Sequence, residues 1–232
     1  MKLSELNPTP LYDVTIPSTG KRASFRPFFV KEERALLAAY ESENANVMLN
    51  TVVQVVENCI KPAQTSLTPF DIEYLFLQIR AKSVGEYSAL LFTCGECGQQ
   101  TPQNIDIRMA EVDNLGNRNL TIQLSDTISI KMRYPTVSDL IDIQEQSDPD
   151  TALQRTISAC MDTVFSGQEA LCVREEPVQD IINFIDTLTA KQFAVLESFV
   201  ETIPTVRIDV EWECKHCRAK NDQTLRGLQN FF

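Results

Sequence analysis

Histidine is nearly missing from this chain of 232 residues: there is one, His216. That scarcity excludes a Ser-His-Asp or Cys-His centre except through His216, and no H-E-x-x-H or zinc-deaminase pattern occurs. Glycine is also scarce, with seven residues, and neither a P-loop nor a G-x-G-x-x-G turn is present to cradle phosphates. Positive charge is short: 21 Lys and Arg face 32 Asp and Glu, a formal charge of −11. The longest basic cluster is Lys215-His216-Cys217-Arg218-Ala219-Lys220. Bulk affinity for nucleic acid or anionic lipid needs more clustered cations than that. No apolar run approaches the ~18–20 residues of a membrane span. The first eight residues lack the apolar stretch of a secretory signal, so a cytosolic protein is expected. Carboxylate pairs such as Asp71 with Glu73, or Glu175 with Glu176, read as solvated helix faces.

What is present is an ordinary globular composition, 43% hydrophobic and 23% charged. Its order of elements repeats. Leu11–Ile16 and Lys21–Phe29, joined by Pro17-Ser18-Thr19-Gly20, predict a β-hairpin. A helix follows from about Lys31, with Glu32 and Glu33 in its first turn. Leu49, Val52, Val53, Val56 and Ile60 then mark one amphipathic helix, and Ile72, Leu75, Phe76 and Ile79 another. A strand at Tyr87–Thr93 leads into Cys94-Gly95-Glu96-Cys97, with a short strand near Ile105–Ile107. The second half restates the plan. Leu120–Leu124 and Ile128–Pro135 predict a hairpin, and Phe25-Arg26-Pro27 and Met132-Arg133-Tyr134-Pro135 end the two hairpins alike. Helical patterns lie around Leu140 to Ile143, at Leu153 to Val164, at Val178 to Ile185 and at Phe193 to Val200. The strand Thr205–Glu213 then enters Cys214-Lys215-His216-Cys217. The expected fold is α+β, in two pseudo-repeated halves. Each half, 1–112 and 113–232, carries a hairpin, helices, and a strand ending in a Cys-x-x-Cys knuckle, and the two together form one compact unit.

Seven cysteines, an odd number, do not suggest a disulfide framework. Two residues between cysteines allow a tight turn to aim both sulfurs at one ion, and two such turns complete a closed, structural four-thiolate zinc site. Cys94, Cys97, Cys214 and Cys217 are therefore the candidate zinc ligands, in a zinc-ribbon-like site assembled from both halves. Structural zinc sites in small peptides supply ~10–16 kcal/mol of apparent binding energy. Gly98 suits the first turn; Arg218, in the same place, makes the second less typical. Two alternatives stand beside zinc: redox use of the pairs, and no metal. Redox pairs open a helix after a strand, which Pro102 and the polar run after Cys97 do not resemble. Cys59 and Cys160 fall on apolar helix stripes and read as core, Cys172 as a loop residue, and His216 as solvent-facing, with replacement of Cys217 as ligand its other reading. Trp212 reads as packing over the metal site.

The run Met1–Pro10 with Tyr12–Lys21, then Phe25-Arg26-Pro27-Phe28 with Val30-Lys31-Glu32-Glu33, and Phe70–Leu77 through Arg80–Glu86, resembles T4-like myovirus baseplate hub proteins, those of cyanophages above all. The likeness is specific over residues 1–86 and looser beyond. It implies a tail-assembly or hub component: a virion subunit of the baseplate or an assembly chaperone in the host cytoplasm. Such a protein works through contacts with other baseplate or hub proteins, without enzymatic activity. Candidate partner contacts are Arg80, Lys82 and Glu86 at a helix end, and the aromatic pair Phe231 and Phe232. Two rivals follow from the cysteines alone. A zinc-ribbon regulator would touch polymerase or nucleic acid around Lys215 to Lys220; a thiol oxidoreductase would need reactive thiols at Cys94 or Cys214.

Overall fold

The structure is a computed structural model that describes residues 8–64, 66–116, 120–146 and 149–227, with side chains described outside 144–150. It is mixed α+β, with seven helices and four small sheets among the described residues. The chain forms two compact units: Met1–Asp113 with Thr205–Phe232, and Asn114–Pro204. The second unit is thus an insertion in the sequence of the first. Repeat halves and compact units are different partitions, because the last strands of the second half pack with the first half.

In the first unit, β1 (Tyr12–Thr15) and β2 (Arg22–Phe25) form the expected hairpin, and β3 (Ile60–Lys61) adds to β2. Helices α1 (Val30–Glu41), α2 (Ala45–Cys59) and α3 (Pro69–Ser83) follow the hairpin. The α3 helix is capped at Thr68, whose hydroxyl accepts from the Asp71 amide while the Asp71 carboxylate accepts from the Thr68 amide. Asp71 corrects the reading of solvated acids. It is fully buried and accepts four hydrogen bonds, from the backbone and hydroxyl of both Ser18 and Thr68. The hairpin turn is thereby tied to the start of α3. Two further hairpins complete the unit: β4 (Tyr87–Thr93) with β5 (Gln100–Asp106), and β11 (Val206–Glu213) with β12 (Lys220–Arg226). The short strand β6 (Glu111–Val112) pairs with β11. Phe92, Ile105, Ile107, Ile208, Trp212 and Leu225 build one core between these strands and Leu77 of α3.

The second unit holds the sheet β10-β9-β8-β7, formed by β7 (Thr121–Gln123), β8 (Ile128–Met132), β9 (Met161–Ser166) and β10 (Glu169–Cys172). Four helices accompany it: α4 (Val137–Gln146), α5 (Pro149–Cys160), α6 (Val178–Asp186) and α7 (Ala190–Glu201). Here one helical pattern is corrected. Val164 does not continue α5; the helix ends at Cys160, and residues from Met161 form a strand opposite β8. The core contains Ile130, Met132, Ile157, Cys160, Leu196 and Phe199.

The two hairpin–helix segments share one piece of architecture. Arg26 donates from its guanidinium to both oxygens of Glu32 (3.0 and 2.6 Å) and to the Pro27 carbonyl, and its amide donates to the Cys59 carbonyl. In the second unit Arg133 donates to both oxygens of Asp139 (2.7 and 3.1 Å) and to the Tyr134 carbonyl, and its amide donates to the Cys160 carbonyl. Glu32 and Asp139 each also accept from a backbone amide at the helix start, Phe29 and Thr136. One arginine thus joins hairpin end, start of the first helix and end of the second, once in each unit. Cys59 and Cys160, both fully buried, are core residues, and burial pushes their thiols up, to about 11 and about 12.

Candidate metal centre

Each Cys-x-x-Cys pair sits at the tip of a hairpin, β4–β5 or β11–β12. In the first, the Cys94 amide donates to the Gln99 carbonyl (3.0 Å) and the Gly98 amide to the Cys94 carbonyl (2.9 Å). In the second, the Cys214 amide donates to the Ala219 carbonyl and the Arg218 amide to the Cys214 carbonyl, both at 2.9 Å. Gly98 and Arg218 adopt the same left-handed backbone, φ 69° and 60°. The less typical second turn therefore folds as the first does, with an arginine in the glycine conformation.

The four sulfurs converge. All lie within 4.8 Å of one another, with Cys94 Sγ 3.6 Å from Cys217 Sγ and Cys97 Sγ 3.7 Å from Cys214 Sγ. Residues 94 and 97 come from the first sequence half, 214 and 217 from the second, and all four belong to the first compact unit. The set can hold a metal ion. Cys94 and Cys214 are buried, Cys97 and Cys217 exposed. The Cys97 and Glu96 amides pull the Cys94 thiol below its usual value, and those of Cys217 and His216 bring Cys214 down to about 6. Backbone donors aimed at these two sulfurs suit thiolate ligands, whereas the neighbouring cysteine sulfurs and burial push the Cys97 and Cys217 thiols up, Cys217 to about 12.

Two contributors escaped sequence reading. Thr101 and Asn221 each stand seven residues after the first cysteine of their own hairpin, and each reaches a sulfur of the other. Thr101 Oγ1 is 3.9 Å from Cys214 Sγ, and Asn221 Nδ2 is 3.6 Å from Cys94 Sγ. Asn221 Oδ1 also accepts from the Gly95 amide (3.1 Å). The arrangement is reciprocal. The only trace in the sequence is the equal spacing, which joins two different residue types and matches no motif.

His216 is exposed, and its amide points at Cys214 Sγ (3.4 Å). Trp212 is buried against Phe92, ring centroids 5.8 Å apart, one residue removed from Cys214. Lys82 and Glu86 pair at 2.9 Å on the surface, and Arg108 pairs with Glu86 at 2.8 Å. Arg80 is partly buried with Nη1 lacking a hydrogen-bond partner among the described residues, and burial lowers its pKa. Phe231 and Phe232 lie outside the described residues. Among the described residues no helix is long and apolar enough to cross a membrane.

No curated protein and no solved structure matches the chain. A family model described as T4 bacteriophage base plate protein matches residues 9–232, nearly the whole length, and the chain belongs to that family.

Proposed function

We propose that this chain is a non-enzymatic component of the phage tail baseplate, a hub subunit or a hub assembly chaperone, stiffened by one structural zinc ion. The family match over both halves carries the baseplate reading. The cysteine cluster supports zinc. A tetrahedral ion with Zn–S near 2.3 Å has sulfur–sulfur edges of about 3.8 Å, close to the 3.6 and 3.7 Å separations. Four thiolates close the coordination sphere and leave no open position for a substrate or an activated water. Cys94, Cys97, Cys214 and Cys217 would hold the ion, and it would clamp the two hairpin tips together.

The function follows from what that clamp leaves free: an acidic, metal-stiffened body working through contacts with other baseplate proteins, in the host cytoplasm during assembly or in the finished tail. Arg80, Lys82 and Glu86 remain the proposed contacts near α3, with Phe231 and Phe232 at the C-terminus. Quantitative mass spectrometry of purified particles beside infected-cell lysate tests the role. A fixed low copy number in particles identifies a hub subunit; abundance in lysate with absence from particles identifies an assembly factor. Absence from particles and from every tail-assembly intermediate would contradict both.

A further inference from the structure

Helix α1 keeps an apolar seam in solvent. At 3.6 residues per turn its buried residues, Glu32, Leu36 and Ala39, share one side. Val30, Arg34, Leu37 and Glu41 run along the opposite side, with Ala38 beside them. Val30 and Leu37, two turns apart, are 62% and 57% exposed, and Tyr40 on the flank is similarly open. Large apolar side chains in line are not what a solvated helix face usually carries. The corresponding helix of the second unit lacks the seam. With Glu32 set against Asp139, Val30 falls on Val137, which is buried, and Arg34 falls on Ile141, which is half-buried.

Two charges on this face are unmatched. Arg34 and Glu41 make no ion pair and no hydrogen bond among the described residues. Positions three and four away hold Val30, Lys31, Leu37 and Ala38 for Arg34, and Leu37, Ala38, Asn44 and Ala45 for Glu41. Neither therefore meets an opposite charge along its own chain. Glu41 also closes the helix, where free carbonyls disfavour a negative charge and the last turn of α1 has no basic residue.

We propose that α1 is the contact between two copies of this chain, packed antiparallel across a twofold axis at Leu37 and Ala38. In that register Arg34 stands opposite the partner's Glu41, and Glu41 opposite the partner's Arg34. Both free charges are then matched around a centre where Leu37 meets its own counterpart. Each arginine also lies over the carboxyl end of the other helix, where a cation is favoured. A parallel pair would set Arg34 beside Arg34 and Glu41 beside Glu41, which like charges disfavour. A second copy is thus the occupant whose charges this face already complements. One helix of 12 residues per copy makes a small contact, so the dimer belongs to the weak, reversible class. The inference draws on neither the metal centre nor the baseplate role.

The test is sedimentation velocity of the full protein from micromolar to near-millimolar chain, under reductant so that exposed Cys172 does not cross-link copies. A reversible monomer–dimer exchange is expected. Leu37→Glu should raise its dissociation constant by about tenfold or more. Arg34→Glu and Glu41→Arg each set like charges across both contacts, and each should weaken the dimer by about fivefold or more. Mixed in equal amounts, those two variants should form a mixed dimer tighter than either forms alone, because every contact between them is again an opposite pair. A damaged fold does not produce that rescue. A monomer at every concentration would overturn the proposal and leave the seam to another baseplate protein. Self-association unchanged by Leu37→Glu, or a mixture no tighter than its components, would overturn it as well.

Discussion

At position 218 the two knuckles differ in residue but not in shape. An arginine in the left-handed region bears a cost of order 1 kcal/mol that a glycine avoids. Around Gly98 an added Cβ would meet nothing within 4 Å, so any penalty there is conformational and not a clash. Gly98→Val should therefore destabilise the protein by about 1–2 kcal/mol, while Arg218→Gly should be neutral or stabilising by less than about 1 kcal/mol. Urea denaturation of the two variants beside the parent decides it; a neutral Gly98→Val contradicts the account. At this scale the cysteines were legible because Cys-x-x-Cys is a local pattern with a chemical reason. Asp71 was not. Its burial depends on Ser18, 53 residues away, whose amide and hydroxyl replace the water that an isolated helix-start acid would keep. Thr101 and Asn221 were equally hidden, since each serves the hairpin it does not belong to.

Among the elements, the repeated arginine clamp makes the sharpest prediction. Arg26 and Glu32 are nearly out of solvent, with side-chain exposures of 13% and 6%, whereas Arg133 and Asp139 keep 21% and 25%. Removing one partner of a buried pair leaves an uncompensated charge and costs roughly 3–5 kcal/mol. Glu32→Ala should approach that range and Asp139→Ala should fall short of it. Equal losses would mean that burial is not what sets the cost. Burial alone would raise the Asp139 pKa, but the Arg133 guanidinium and the Thr136 amide and hydroxyl hold it below the usual carboxylate range. Glu32 is likewise depressed, by Arg26 and the Phe29 amide acting against burial. A carboxyl lowered in the folded state adds stability above its unfolded pKa, near 4, and loses it as pH falls through the folded value. Stability should therefore decline on the acid side below about pH 4, and Asp139→Asn should flatten that decline, as followed by melting temperature against pH. The paired hairpin ends, Phe25-Arg26-Pro27 and Met132-Arg133-Tyr134-Pro135, were visible in the sequence; what they hold was not, because Cys59 and Cys160 join only once the second helix returns. The end of α5 is hidden from the sequence for a related reason. Val164 continues the helical spacing of Leu153, Ile157 and Cys160, and only pairing with β8 draws Met161–Ser166 into a sheet.

For the whole molecule, the α+β class followed from periodicity and order of elements. The compact units did not, because contact overrides sequence proximity: β11 and β12 leave the second half to share a core with β4 and β5. Where the chain departs for the second unit and returns, it is tied within the first: Asp113 donates from its amide to the Thr205 carbonyl and accepts from the Thr205 amide, both at 3.0 Å, and Arg226 pairs with Asp113 at 2.5 Å. A metal ion on Cys94, Cys97, Cys214 and Cys217 would close the same loop a second time. Chelation, or Cys94→Ser, should therefore unfold the β4–β5 and β11–β12 hairpins together, seen as joint loss of amide exchange protection. Loss confined to one hairpin would contradict a shared site.

The most direct measurement is metal analysis of the purified full-length chain, combined with X-ray absorption at the zinc edge. The account predicts one zinc per chain with four sulfur neighbours at about 2.3 Å. A metal-free protein with all four cluster thiols freely reactive, or a zinc bound by fewer than four sulfurs, would contradict it.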